Sequence, residues 1–264
     1  MFDLRQFTII MLFMMGISTG FAQNWFSNEI GVVFGPVVFQ SDFGERRDLE
    51  STMGNTGFGI GFVHYMNFDY RTRGPMRYSY FNDHFRIRSE ISWNWTNLKH
   101  FGQWAEGTSE NAKKLKAHTG RANNLDVGMQ LEYFPFSVKE FSYDIGAFAP
   151  YVSLGVHYTL FSPEVFTSYG DNDVNNLYNF FDPWRYPNGK EDTDFIVTEV
   201  GATFSIVGSI GTRYKLSRMS DLVLDLRWQR YFSDKVDGLN HKLPSNKAND
   251  HLIWLNFGYI FYLN

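Results

Sequence analysis

Ser153 and His157 are the residues of this chain that first invite a chemical reading, since a serine near a histidine can be a nucleophile and its base. They lie in a run that alternates polar and apolar residues, 151–160 (YVSLGVHYTL), which reads as a β-strand. Four residues along a strand place two side chains on one face but about 13 Å apart. They cannot touch, so the pair is expected to fill a polar interior rather than to attack a substrate. Asp171 and Asp173, within DNDVNN, have a calcium-like composition but lack the spaced closing Glu of an EF-type loop. His64 falls on the apolar face of its segment, and His100, His118 and His241 sit in connections without ligand spacing. Gly57, Gly59 and Gly61 alternate within a strand, which serves packing and not phosphate binding. With no cysteine, disulfides, thiolate metal sites and cysteine nucleophiles are excluded. No catalytic residue, metal site or cofactor is expected. The 24 basic and 28 acidic residues are dispersed, so no nucleic-acid footprint is visible.

The elements that would position these residues share one pattern. Period-two alternation recurs in eight segments of about ten residues, the length a tilted strand needs to cross a bilayer. They are 29–39, 57–67, 85–95, 125–134, 151–160, 203–215, 222–231 and 252–263. In 85–95 (FRIRSEISWNW), Phe85, Ile87, Ile91, Trp93 and Trp95 alternate with Arg86, Arg88, Glu90, Ser92 and Asn94. In 252–263, Ile253, Leu255, Phe257, Tyr259, Phe261 and Leu263 form one unbroken row. The chain is 19% aromatic at a slightly polar mean hydropathy of −0.30, as a cylinder with a greasy outside and a wet inside requires. The expected fold is all-β: an eight-stranded antiparallel transmembrane outer-membrane β-barrel. A soluble β-sandwich would also alternate, and is the alternative.

Residues 1–22 read as a signal peptide: Arg5, then an apolar run at 7–14, then small residues up to Ala22. Residues 23–264 form the barrel domain. Connections after odd-numbered strands (40–56, 96–124, 161–202, 232–251) are long and polar, as outer loops are. Those after even-numbered strands (68–84, 135–150, 216–221) are shorter on average. Within the outer loops, 109–117 predicts a short helix capped by Ser109, while 171–176 and 180–187 read as irregular. Trp25, Phe26, Trp93, Trp95, Trp228, Tyr259 and Tyr262 lie near strand ends, where an aromatic girdle would meet the membrane interfaces. Asn256, Gly258, Phe261 and Leu263 are similar to the C-terminal signal by which such barrels are recognised for insertion, with Leu263 in place of an aromatic and Asn264 beyond it.

Eight strands leave an interior that side chains can fill. Arg86, Arg88, Glu90, Glu132, Arg213, Asp225 and Arg227 are expected to neutralise one another there between neighbouring strands. Counted from the turns, Glu132 comes level with Arg86 and Arg88, and Asp225 with Arg213. Inner glycines leave room for these side chains.

Residues 29–35 (EIGVVFG) and 57–68 (GFGIGFVHYMNF) resemble small outer-membrane barrels of Bacteroidota, including PorG-like proteins associated with type IX secretion and gliding. Residues 80–91 (YFNDHFRIRSEI), 128–135 (GMQLEYFP) and 214–217 (YKLS) are similar to an uncharacterised flavobacterial barrel family, over essentially the whole mature chain. PorG-like chains carry Gly-Asp-Leu after the first strand, where this one has 40–46 (QSDFGER). The expectation is a non-enzymatic barrel with a structural or accessory role. Its partners would be outer-membrane lipid and lipopolysaccharide, the barrel-assembly machinery during insertion and, as the resemblance implies, secretion-system proteins. A lipid A-modifying enzyme and a narrow channel are the alternatives.

Overall fold

Period two puts successive side chains on opposite faces of a strand, so a chain with one greasy and one charged set must hide one of them. The computed structural model describes residues 26–44, 48–68, 79–243 and 249–263. The expected signal peptide and Trp25 lie outside these residues. Nine strands form: β1 Phe26–Gln40, β2 Thr56–Phe68, β3 Phe85–Lys99, β4 His118–Tyr133, β5 Phe148–Phe161, β6 Glu164–Thr167, β7 Gly201–Ser217, β8 Ser220–Tyr231 and β9 His251–Tyr262. Eight of them pair in the ring β1-β2-β3-β4-β5-β7-β8-β9, and β9 returns antiparallel onto β1. The ring is closed, so none of its eight strands is left as an edge.

The faces are inverted relative to a soluble protein. Phe34, Phe62, Leu154, Leu226 and Phe257 are exposed around the outside, whereas Glu29, Arg88, Glu90, Arg213 and Arg227 are buried inside. Lipid, not water, is the medium that such an outside matches. A sandwich would bury the apolar set instead, so that alternative is overturned. Inner glycines make space for large neighbours. A Cβ at Gly59 would stand 2.6 Å from the Trp254 ring, and one at Gly128 would stand against His157.

The strands differ from expectation mainly at their outer ends. Residues 96–99 and 118–124, read as loop, continue the β3–β4 hairpin from Thr96↔Ala122 to Lys99↔Thr119. They lie above the lipid, so no apolar row marks them in sequence. Residues 164–167, also read as loop, form β6, which pairs with His118–Arg121 at the outer end of β4. The 216–221 turn is tighter than expected. Ser217 pairs with Ser220, and an irregularity between Lys215 and Ser217 shifts the register. The helix expected after Ser109 is present as Glu110–Ala117, with the Ser109 side chain accepting from the Ala112 amide. Residues 180–187 are more ordered than expected, containing the helix Asp182–Arg185.

The lipid-facing surface yields a direct test. Leu154, mid-strand and exposed, is predicted to cost about 2–4 kcal/mol when changed to Arg. Reversible denaturant unfolding in lipid vesicles would measure this, and an unchanged stability would contradict the placement of that face.

Candidate functional site

The lumen is a layered network of ions. Near its inner end, Glu29 receives Arg213 at 2.6 Å and Arg86 at 3.2 Å, and the Asn67 amide donates to it at 2.6 Å. Arg213 also lies 3.5 Å from both Glu132 and Asp221, and Lys215 lies 3.2 Å from Asp221. One layer outward, Arg88 reaches Glu90 at 2.7 Å, Asp225 at 3.1 Å and Glu132 at 3.7 Å. Arg227 grips Glu90 with both terminal nitrogens at 2.6 Å, the bidentate geometry that makes guanidinium–carboxylate pairs strong. Tyr151 and Asn256 donate to Asp225 at 2.9 and 2.6 Å. Further out, Asp126 accepts from Asn94, Thr159 and Gln229. The cations also sit over rings, Arg213 over Tyr65 at 4.0 Å and Arg227 over Trp254 at 4.8 Å.

All seven expected network residues meet here, but only part of the expected pairing forms: Arg88 lies 3.7 Å from Glu132 as expected, whereas Arg86 and Asp225 find other partners. Glu132 does stand opposite Arg86, yet Arg86 turns to Glu29. Asp225 stands opposite Gly211, not Arg213, because the irregularity between Lys215 and Ser217 shifts the register, and it binds Arg88. Pairing reaches beyond neighbouring strands: β3 and β8 lie four strands apart in either direction around the ring, so Arg88–Asp225 and Glu90–Arg227 span its full width. A bore this narrow lets long side chains meet at its axis. Glu29 and Asp221 are the members that sequence reasoning missed. Glu29 was recoverable, since it shares parity with the inward Gly31 and Val33.

Both mouths are covered. At the inner end the helix Val138–Tyr143 buries Val138 and Phe141 against a cluster containing Phe134, Tyr151 and Val223. Ser137 caps this helix and also donates to Asp83 at 3.0 Å, tying two inner connections together. At the outer end the loops fold into a cap with its own core. Phe43, Leu98, Leu115, Val165, Phe180, Trp184, Phe195, Val236 and Leu239 come from four connections and pack as one cluster.

His100, His118 and His241, which sequence spacing left apart, gather beneath this cap. His100 Nδ1 accepts from the Gly44 amide at 3.2 Å, so its proton sits on Nε2, which donates to His118 Nδ1 at 2.9 Å. The chain of bonds holds only with both rings neutral. Trp184 packs on all three imidazoles, stacking against His241 at 5.5 Å. Among the described residues no group of three or more metal-donor side chains is arranged to hold an ion. Asp171 instead folds its own turn: its carboxylate accepts from Asn176 and Asn179, which hold its pKa down at about 2.

The remaining candidates are placed as follows. Ser153 donates to the Gln130 carbonyl oxygen at 2.8 Å, and the Gln130 amide nitrogen faces His157 at 3.3 Å, so an amide separates the two. His64 lies on the outer face, half-buried, 3.1 Å from the Asn28 side chain. Trp93 and Trp95 stack at 4.6 Å on the outside, and Trp228 stacks on His251 at 5.5 Å. Tyr259 is exposed toward the opposite end. Tyr262 departs from the girdle. It falls on the inner face of β9, donates to Asp221 at 2.7 Å and lies 3.7 Å from the Lys215 ammonium, closing the inner mouth. Asn256 and Gly258 of the C-terminal pattern face inward, while Phe261 and Leu263 face out. A Cβ at Gly258 would come within 2.9 Å of Val33.

No known family model matches this sequence, and no curated protein does either. Among solved structures, the chain is similar to Neisserial surface protein A, with 8% identity, a TM-score of 0.43, and coverage of 89% of this chain and 96% of that one. It is also similar to the outer membrane protein OprG of Pseudomonas aeruginosa (14% identity, TM-score 0.41, 89% and 97% covered). A major outer membrane protein from Thermus thermophilus gives 11%, 0.44, 89% and 99%. The chain's own surface decides its place: a closed ladder, greasy outside, rings near its ends and charge within. This is an outer-membrane β-barrel.

Two outcomes follow from these geometries. Glu90→Gln leaves Arg227 without its carboxylate and should cost about 3–5 kcal/mol in denaturant unfolding, with part recovered when Arg227→Met is added. For the cap, burial, with help from His118 and His241, holds His100 well below the ordinary imidazole range. Its contribution is present above an unfolded pKa of about 6.5 and is lost as pH falls below it. Burial pushes Asp237, whose oxygens accept from the Asp42 and Leu239 amides, up to about 7, so its contribution is complete below an unfolded pKa of about 3.9 and is lost as pH rises from there to about 7. Through His100, hydrogen exchange in the cap, corrected for intrinsic rates, should quicken from pH 7 to pH 5, an effect that the Asp237 carboxyl opposes over the same interval.

Proposed function

We propose that this protein is a non-enzymatic outer-membrane barrel with a structural or accessory role, working through its folded outer cap and not through its lumen. The observation that carries this is the network from Arg213 to Arg227, held across the whole bore between two apolar seals. An eight-stranded interior filled in this way leaves no continuous aqueous path. The protein reconstituted in planar bilayers should give no stable conductance; a large, steady one would refute the sealed lumen.

The absence of an enzymatic role rests on Ser153 and His157, each of which spends its contact on Gln130. A nucleophile needs a base within hydrogen-bond reach, and no such pair forms here. The double variant Ser153→Ala, His157→Ala should leave the host's lipid A unaltered, and altered acylation would establish the lipid-modifying alternative. Lipid and lipopolysaccharide are the partners that the outer belt suits. Phe261 and Leu263, facing outward on the last strand, suit recognition by the assembly machinery. The resemblance of residues 29–35 and 57–68 to PorG-like barrels of Bacteroidota is what supports attachment to type IX secretion or gliding components.

A further inference from the structure

The lipid-facing belt is uneven. Across β9, β1, β2, β3 and β4 it holds an apolar hollow of about 700 Å³. Val32, Ser89 and Val127, which face outward with short side chains, line it together with Gly128. Phe62 stands at the same hollow as a ridge, 62% exposed against 38% for Phe58 on its own strand. A patch that carries both a ridge and a hollow is complementary to a copy of itself, as a two-fold contact between identical subunits requires.

Polarity points the same way. Ser89 lies midway between the ring residues Phe85 and Trp93 of β3, at a depth where lipid offers no hydrogen bond. Other polar side chains of the belt are spent locally: His64 meets Asn28 at 3.1 Å, and the Thr212 hydroxyl donates to the Arg213 carbonyl at 3.3 Å. The Ser89 hydroxyl has no such bond among the described residues. Acyl chains would fill the hollow and leave that hydroxyl unbonded. A hydroxyl both donates and accepts, so it can pair with its own copy, and small residues and hydroxyls are what join membrane segments. A two-fold axis along the membrane normal beside Ser89 turns β2 of one barrel toward β4 of the other. Phe62 then comes over the low side lined by Val127 and Gly128. We propose that the β2–β3–β4 face is a contact between two copies of this chain, Phe62 of each seated in the hollow of the other and the Ser89 hydroxyls paired at the axis. The association uses the belt alone, so it depends neither on the cap nor on the sealed lumen.

The test uses the full chain inserted in phospholipid vesicles, where added lipid dilutes the partners. The sequence has no cysteine, so one introduced thiol reports alone. Donor- and acceptor-labelled Thr193→Cys, exposed in the outer loops, should show energy transfer that falls as lipid is added. Ser89→Ala should weaken the association about threefold, the scale of a hydrogen bond between membrane segments. Phe62→Ala should weaken it about tenfold, through the lost ring contact. Val127→Phe fills the hollow and should abolish the transfer; retained strand circular dichroism would confirm a folded barrel in each variant. A short thiol cross-linker should join Ile91→Cys, beside Ser89 on β3, and not Leu226→Cys, on β8 at the far side of the ring. Monomers at every lipid ratio, cross-linking through Leu226→Cys as readily as through Ile91→Cys, or transfer indifferent to Phe62→Ala and Val127→Phe would overturn the proposal. A conducting barrel would sink the sealed-lumen reading and leave this contact standing.

Discussion

Charge taken out of water must be neutralised, and in this molecule that requirement governs the shape. A cylinder facing lipid can place its ionic side chains only inward, where little water reaches them. Eight strands give a bore across which an arginine on one wall can meet a carboxylate on the opposite wall. The pairs Glu90–Arg227 and Arg88–Asp225 therefore act as struts, and the ring cannot widen or flatten without separating them. Tyr65 and Trp254 support the same cations from their ring faces. Where a wide side chain must lie in the bore, a glycine on a nearby strand leaves it room, as Gly59 on β2 does for Trp254 on β9, the two strands that flank β1.

The two apolar seals and the ionic middle depend on each other. Phe134, Phe141 and Tyr262 at one end, and the cap core at the other, restrict the water that would otherwise loosen the pairs. Lower local polarity strengthens each attraction and raises the cost of any charge left over. Asp126, a buried lumen carboxylate with no cation in direct contact among the described residues, is accordingly held by three neutral donors.

The outward face was legible because it obeys one local rule, and the row from Ile253 to Leu263 states that rule without interruption. Which residues enter the lumen was legible for the same reason. Which of them meet was not, since counting along adjacent strands sees only neighbours, and Asp225 finds its partner on the far side of the ring. One irregular pair beside Lys215 was enough to shift Asp225 away from Arg213. Tyr262 sits near a strand end, as girdle residues do, but its parity with Ile260 turns it to the inner face. The cap was hidden for a different cause: Phe43, Leu98, Phe195 and Leu239 belong to separate loops and share no period. The imidazole cluster inherits that obscurity, because its members are brought together only by the packing of those loops around Trp184.

The folding of the 161–202 connection changes what the cell surface presents. A polar segment of that length would ordinarily be a tether, open to any protease that can thread an extended stretch of backbone into its active site. Here β6 locks onto β4, Lys114 holds Asp182 at 2.7 Å, and Phe180, Trp184 and Phe195 are sunk in a shared core. Cleavage would first require that piece to come loose from its neighbours. The barrel thus meets the outside world with a durable relief instead of a fringe, and resistance to digestion is written into the same contacts that give the cap its shape.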